Sequence, residues 1–463
     1  MLTRIEIDGF KSFENFELAL PPFVVILGQN AVGKSNLFDA LRFLAQLVES
    51  QDLHAAARNL RGEPRELFRR LPDGGAVERI RLAVETLLNP TVRDAYGQEA
   101  TLTCTRIRYQ VTIERRMAAG IERLFVVEES AEPIKRADDH WRPKGERPSR
   151  AFQEAYFRYS TRRTAFLETK IQGDQATFLI NQDGGQGRPR GIPGRRAVAT
   201  VLSSVTSAAQ FAHLYALREE LRSLNYLQLD PAAERQPSDL AVPEALLPDG
   251  SNLAAVLYRI RAETASEEEP SGVLADIRAD LTSLIPGVVD LQVTRDDQRR
   301  EYRLELKLRD GGWYGSRVIS DGTLRVLALL ALLHDPQRRG IICFEEPENG
   351  IYKTRLQDLM QLLRDACTDP SADDVRSDEP LLQIIINTHS PVVARVLKDE
   401  IVIAQVVEVF DPKASIPRRC TRMRPFRLSE QTELELGDKA RTVLTVNELE
   451  RLIDVTETSE FAA

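Results

Sequence analysis

Apolar and polar residues alternate over Leu2–Asp8 and again, after Gly9-Phe10-Lys11-Ser12-Phe13, over Phe16–Leu20. This period of two predicts a pair of strands, each with one solvated face. Val24–Leu27 is apolar throughout, the mark of a strand covered on both faces. A glycine-containing loop and a helical run from Leu37, expected to reach about Arg58, come next. Alternating segments at Ile80–Leu87, Thr101–Arg115 and Arg123–Glu128 predict an antiparallel sheet exposed on one side, which completes a first lobe over residues 1–130.

The pattern then changes. Residues 131–287 form an insertion with little strand periodicity, read as mainly helical: helices are predicted over Thr200–Leu224, Ser251–Glu263 and Ser271–Leu284, around a proline-punctuated loop at 230–248. Regular patterning returns in 288–410. Tyr302–Leu308 alternates strictly, Asp310-Gly311-Gly312 turns the chain into a hairpin, and an apolar helix covers Thr323–His334. Three buried strands follow, at Ile341–Phe344, Leu381–Asn387 and Ile401–Val409, with a helix near Lys353–Ala366 between the first two. Apolar strands alternating with helices predict a parallel sheet, so the fold class is α/β. Residues 411–463, basic and then acidic, read as a peripheral tail.

Composition narrows the function classes. The 463 residues are 42% hydrophobic and 29% charged, enough for a large core. No apolar run is long enough to span a bilayer and no signal-peptide pattern precedes the first strand, so a cytoplasmic location is expected. The four cysteines are scattered, as are the five histidines, so the sequence gives no metal cluster. The net charge of −8 argues against a globally basic nucleic-acid binder. Between Ile134 and Arg196, however, fourteen basic residues face seven acidic ones, a local +7 interleaved with Trp141, Phe152, Tyr156, Phe157, Tyr159 and Phe166. Such a segment could bind nucleic acid or an acidic partner surface; equally, its aromatic residues could form a small core of their own.

The candidate chemistry begins in the loop after the first buried strand. Gly28, Gln29, Asn30, Ala31, Val32, Gly33, Lys34, Ser35 and Asn36 spell the phosphate-cradling pattern, preceded by a strand and followed by a helix. Glycines let backbone N–H groups close on phosphate oxygens, Lys34 would reach the terminal phosphates, and Ser35 would hold Mg²⁺. Glu345 and Glu346 end a buried strand at the sheet edge where ligands bind, one placed to hold Mg²⁺ and the next to polarise an attacking water. His389 ends the following strand, within reach of the γ-phosphate. Ser320-Asp321-Gly322-Thr323 opens the apolar helix, where the serine is either a plain N-cap or part of an anion site.

In this order, Gly28–Asn36, Ser320–Arg325, Glu345–Gly350 and Thr388–Pro391 resemble the motifs of ABC-type ATPases. More narrowly the chain resembles the RecF/SMC-like predicted AAA-family ATPases, which include the ATPase part of OLD-family proteins; the segments Gly9–Phe13 and Leu247–Leu253 are similar to theirs as well. The resemblance implies an ABC-ATPase-like fold with a mixed or antiparallel lobe, a parallel P-loop sheet flanked by helices, and a largely helical insertion. It makes Gly28–Ser35 the Walker A loop, Glu345 the Walker B acid beside Mg²⁺, Glu346 the catalytic base and His389 the switch histidine. Ser320 and Gly322 become the signature, which acts on ATP held by a second subunit and implies a homodimer or a higher even-numbered oligomer. Asn349 and Gly350 would link the two sites.

Several positions depart from the family pattern. Glu345 stands where ABC proteins usually have aspartate, Asp321 and Thr323 differ from the usual signature, and Tyr352-Lys353 replace His-Pro. No residue is assigned to the Q-loop, no heptad segment predicts a coiled coil, and no Asp-x-Asp pair after His389 suits a Toprim nuclease. The expected activity is ATP hydrolysis in a switch coupled to a separate effector protein or to DNA, such as the ATPase of a bacterial anti-phage defence system. The alternative is a RecF-like repair or recombination factor that binds DNA directly.

Overall fold

A computed structural model describes residues 1–429 and 443–445, apart from 119, 163, 174, 185–187, 338, 350, 353, 391–392, 394–396, 398–399 and 410–416. Arg163, Gly350, Lys353, Pro391 and most of the 411–463 tail, all singled out in the sequence, lie outside the described residues.

β1 (Leu2–Asp8) and β2 (Phe16–Ala19) pair antiparallel and turn Ile5, Ile7, Phe16 and Leu18 inward. β3 (Phe23–Leu27) is buried at every position and feeds α1 (Lys34–Glu49). The single helix expected to reach Arg58 is broken: Ser50 is extended, and Asp52 caps a new helix, α2 (Leu53–Arg58), by accepting from Ala55 N at 2.9 Å. β4 (Arg79–Leu87), the small hairpin of β5 (Thr91–Arg93) and β6 (Glu99–Thr101), and the long β7 (Arg106–Ala118) and β8 (Ile121–Pro133) follow. After α3 (Arg150–Tyr156), β9 (Leu167–Gln172), β10 (Gln175–Ile180) and β11 (Arg190–Pro193) add to the same sheet. It has eight antiparallel strands in the order β11-β10-β9-β8-β7-β4-β1-β2. β9, β10 and β11 are thus strands inside a stretch read as mainly helical. Their inward residues, Leu167, Phe178 and Ile180, are few and separated by polar ones, so the alternation is faint in the sequence.

α4 (Ala208–Arg222) leads to β12 (Leu224–Leu227), then α5 (Pro231–Glu234), β13 (Ser238–Asp239), α6 (Leu253–Thr264) and α7 (Leu274–Leu284). β14 (Val288–Asp296), β15 (Glu301–Leu308) and β16 (Trp313–Gly315) form the predicted hairpin sheet, with β13 on the other edge of β15. The last part runs α8 (Asp321–Leu333), β17 (Gly340–Glu345), α9 (Leu356–Asp365), β18 (Leu382–Thr388), β19 (Ile401–Val409), β20 (Arg418–Ser429) and β21 (Val443–Thr445). The second sheet is ordered β12-β17-β18-β3-β19-β20-β21, with β12 to β19 mutually parallel.

Two features of that sheet were not anticipated. β12, from within the insertion, supplies its edge beside the strand of the two glutamates. Residues 418–429, expected to belong to a peripheral tail, join the sheet: β20 pairs antiparallel with β19 over nine positions, from Ile401↔Phe426 to Val409↔Arg418. Five of the residues on β20 are arginines, a composition that reads as surface, yet Cys420, Thr421 and Met423 are buried.

The period of two divides the parallel sheet between two cores. Val24 and Ile26 of β3, with Ile341 and Cys343 of β17, face a core shared with α1, α4 and the antiparallel sheet. Phe23, Val25 and Leu27, with Ile342 and Phe344, face a second core built on α6, α7 and α8. α8 lies inside that second core and buries Leu324 and Val326 to Leu333 in succession, which is why its sequence is apolar on every side. Burial on both faces fixes the ends of β3, β17 and β18, and these ends carry the candidate site.

Candidate functional site

Two backbone positions of unusual conformation form the loop after β3. Ala31 has φ of 62° and Gly33 φ of 98°, the left-handed region in which successive N–H groups turn to one side and make an anion nest. Gly33 is also the N-cap of α1; no side chain caps this end and its first turn has no acidic residue. The free N–H groups and the positive end of the helix dipole are therefore available to an anion. Lys34 is buried, and its Nζ donates to the carbonyls of Gly28 at 2.5 Å and Gln29 at 2.7 Å. Burial pulls its pKa below the ordinary lysine value, against the opposing charges of Glu346, Glu345 and Glu348. Asn30 and Ala31 are exposed at the loop tip, whereas the Val32 carbonyl is tied inward. Asn36 directs its side chain to Ser12 Oγ at 2.9 Å, not into the loop.

Parallel register brings the second group of residues beside this loop. Glu345 pairs with Asn387, and Asn387 with Ile26, across β17, β18 and β3. Asn387 Nδ2 donates to Glu345 Oε1 at 3.0 Å and lies 3.5 Å from Ser35 Oγ, so one amide links the hydroxyl and the carboxylate. Asn387 Oδ1 is buried without a hydrogen-bond partner among the described residues. Hydroxyl, carboxylate and amide oxygens are the hard donors that suit Mg²⁺, and the residues at this point fit such an ion. Tyr226 of β12 bonds Glu345 as well; burial, and then the Glu345 charge, pushes the tyrosine pKa well above its ordinary value.

Glu346 has φ of 52°, a left-handed conformation that costs a non-glycine residue on the order of 1 kcal/mol or more. Both of its backbone polar groups are held: its N–H donates to Asn387 O at 2.8 Å, and Arg325 Nη1 donates to its carbonyl at 3.3 Å. The kink separates the two carboxylates of one strand end. Glu346 Oε2 accepts from Asn349 Nδ2 at 2.7 Å and Oε1 lies 3.2 Å from His389 Nδ1, so the carboxylate and the imidazole form one half-exposed pair. The neighbouring Thr388 is fully buried and donates to Glu348 Oε1 at 2.5 Å.

Ser320 is exposed, and its Oγ accepts from Thr323 N at 3.3 Å and meets Thr323 Oγ1 at 2.7 Å, as an N-cap does. Gly322 is buried in the first turn of α8, and Asp321 pairs with Arg235. The chain therefore brings the loop, Glu345, Glu346 and His389 together, while the hydrogen bonds of Ser320 stay within α8.

Several site residues escaped the sequence reading. Asp39, on α1, is buried and holds both Lys11 Nζ, at 2.6 Å, and Arg61 Nε, at 3.2 Å; Arg61 Nη2 reaches the Ser35 carbonyl at 2.8 Å. An aspartate on the apolar side of a helix was the available signal. The Leu247–Leu253 segment proves structural: Asn252, fully buried, donates to the carbonyls of Pro243 and Ala245 and accepts from Leu247 N. In the basic segment, Trp141, Phe152, Tyr156 and Phe166 are buried, so they are not available to stack on bases. Arg162 lies over the Phe166 ring and donates to Gln182 O, and Arg158 donates to Glu154 O.

The profile of a family described as "AAA domain, putative AbiEii toxin, Type IV TA system" matches residues 23–132 and 210–395, which include the loop, Ser320, both glutamates and His389. No curated protein matches the sequence. Solved SMC heads align over 92% of this chain at 11% identity. They include an SMC head bound to the C-winged helix domain of ScpA (TM-score 0.47, 97% of that chain). Others are the Thermotoga maritima SMC head (0.37, 99%) and a Pyrococcus furiosus head with an extended coiled coil bound to the C-terminal domain of ScpA (0.45, 96%). Among the described residues, no helix is long and apolar enough to cross a membrane.

Proposed function

The chain belongs to this AAA family of P-loop ATPases, and from that premise we propose that it is an ATP-hydrolysing switch whose complete site forms between two copies. The observation that carries the proposal is the pairing of Glu346 with His389 and Asn349 beside an uncapped phosphate loop. Gly28–Ser35 holds the phosphates, with Lys34 leaving the loop carbonyls for the terminal phosphates. Ser35 and Glu345 would hold Mg²⁺, which when bound would neutralise phosphate charge. Glu346 accepts the proton of the attacking water, oriented by Asn349, and His389 donates to charge developing on the γ-phosphate. The exposure of Ser320 at the start of α8 supports a role for Ser320 and Gly322 on nucleotide held by the partner copy.

The dimer would couple nucleotide state to a separate effector protein or DNA target, as the ATPase of an anti-phage defence system. Direct DNA binding of the RecF type, through 134–196, has less support because four of the six interleaved aromatic residues there, Trp141, Phe152, Tyr156 and Phe166, are buried. Glu346→Gln should bind ATP·Mg²⁺, elute as a dimer and lose roughly 10²–10⁴-fold in turnover. Turnover at the wild-type rate by that variant would overturn the assignment.

A further inference from the structure

We propose that Thr421, on the C-terminal strand, is a positioning residue for the phosphate loop and sets the loop's nucleotide affinity through a directed chain of hydrogen bonds. The inference rests on the nucleotide-binding reading of that loop. Thr421 is fully buried and lies beyond the residues matched by the family profile. Its Oγ1 is 2.7 Å from Ser12 Oγ and 2.8 Å from the Val32 carbonyl oxygen, a contact across 389 positions of sequence. Ser12 Oγ in turn lies 2.9 Å from Asn36 Nδ2.

Counting protons fixes the direction of this chain. The Val32 carbonyl can only accept and the Asn36 amide nitrogen can only donate. Thr421 therefore gives its single proton to Val32, Ser12 gives its proton to Thr421, and Asn36 donates to Ser12. Both hydroxyls are used fully as donors. The chain joins the first turn of α1, the turn after β1, the strand β20 and the loop.

The consequence for the loop follows from peptide geometry. In a planar trans peptide the C=O of Val32 and the N–H of Gly33 point in opposite directions. A bond that draws the Val32 oxygen toward β20 turns the Gly33 N–H the other way, toward the concave side that would face phosphate. The fit at this point is close: a Cβ on Gly33 would lie 2.2 Å from Thr421 Oγ1 and 2.8 Å from Ser12 Oγ. Thr421 is itself held in place. Its N–H donates to Ser12 O at 3.0 Å, and the neighbouring Arg422 donates to the Glu14 carbonyl at 2.8 Å. β20 is joined through β19 to β3, the strand that delivers the loop.

The test compares Thr421→Val and Thr421→Ser with wild type in the full-length protein, measuring ATP affinity by calorimetry, steady-state kcat and KM, and thermal unfolding. Valine keeps the shape and removes the hydroxyl; serine restores it. Thr421→Val should weaken ATP binding roughly tenfold, raise KM in proportion and leave kcat within about twofold, while Thr421→Ser stays within about twofold of wild type in all three. A lowered melting temperature with a wild-type dissociation constant for Thr421→Val, or equal losses in the two variants, would overturn the proposal. Wild-type protein that binds no ATP would overturn the nucleotide reading itself, and this inference with it.

Discussion

Arg106 and Asp139 make the sharpest stability prediction, because the geometry leaves few alternatives for either charge. The Arg106 side chain is fully buried, and its Nε and Nη2 donate to Asp139 Oδ2 and Oδ1 at 2.7 and 2.9 Å. Nη1 donates to Thr3 Oγ1 and to the Thr86 carbonyl. Asp139→Ala would remove the partners of Nε and Nη2 and leave Glu85, 3.6 Å from Nη2, as the one facing carboxylate among the described residues, and breaking one side of such a buried pair costs roughly 3–5 kcal/mol. Melting temperatures of 150–250-residue domains move about 2–4 °C per kcal/mol; scaled to this longer chain, the loss is roughly 3–10 °C. Burial acts to raise the Asp139 pKa, but the Arg106 guanidinium overrides it and holds the carboxyl below its ordinary value. With a depressed native pKa, the pair's contribution is present above the ordinary aspartate value near 4 and is lost as pH falls through the lower native value. The variant should thus be destabilised equally at pH 6 and pH 8 and approach wild type only in strong acid. Differential scanning calorimetry of Asp139→Ala and of Arg106→Met/Asp139→Leu provides the assay, the double variant recovering most of the loss. A single variant within 1 °C of wild type, or a double variant no better than the single, would show that the buried pair does not carry this stability.

Glu129 should produce the opposite pH dependence. It is fully buried, accepts from Val201 N, Leu202 N and Tyr109 Oη, and burial raises its pKa to about 7. The native state then keeps a proton that the unfolded chain loses, so this contribution is complete below the ordinary value of 4.5 and is lost as pH rises through 7. Stability should fall by up to about 3 kcal/mol between pH 5 and pH 8, and Glu129→Gln should flatten that slope in calorimetric scans. Gly33→Ala should abolish ATP binding through both its φ of 98° and its collision with Thr421. The double variant Gly33→Ala/Thr421→Ala should relieve the collision alone and regain part of the lost melting temperature, measured by the same scans.

The parts of this protein legible from sequence were those where burial imposes a strong period. β3, β17 and β18 are covered on both faces and read as unbroken apolar runs, and their ends locate Gly28, Glu345 and Asn387 without reference to tertiary structure. β9 and β10 escaped because half of each strand faces solvent and the other half contributes only a few apolar residues. β20 escaped for a related reason: two of its arginines, Arg418 and Arg422, reach across to Glu14, so charges that read as surface are spent on contacts within the fold. Tyr226 and Thr421 act at the site through contacts far away in sequence, that of Thr421 across 389 positions, and no local spacing could report them. The aromatic residues of 134–196 pointed equally to a ligand and to a core, and packing of Phe152 and Tyr156 into a small core decided between the two.

In the proposed dimer one copy supplies the loop and Glu346 while the other supplies Ser320. Mixing Glu346→Gln with Ser320→Ala tests it directly, because each variant alone has two defective sites per dimer, whereas the mixed dimer holds one intact site. Each variant alone should lose at least roughly tenfold in ATP turnover, and the mixture should recover to well above the average of the two. Turnover equal to that average, with mixed dimers shown to form by mass, would mean that the two copies do not share a site.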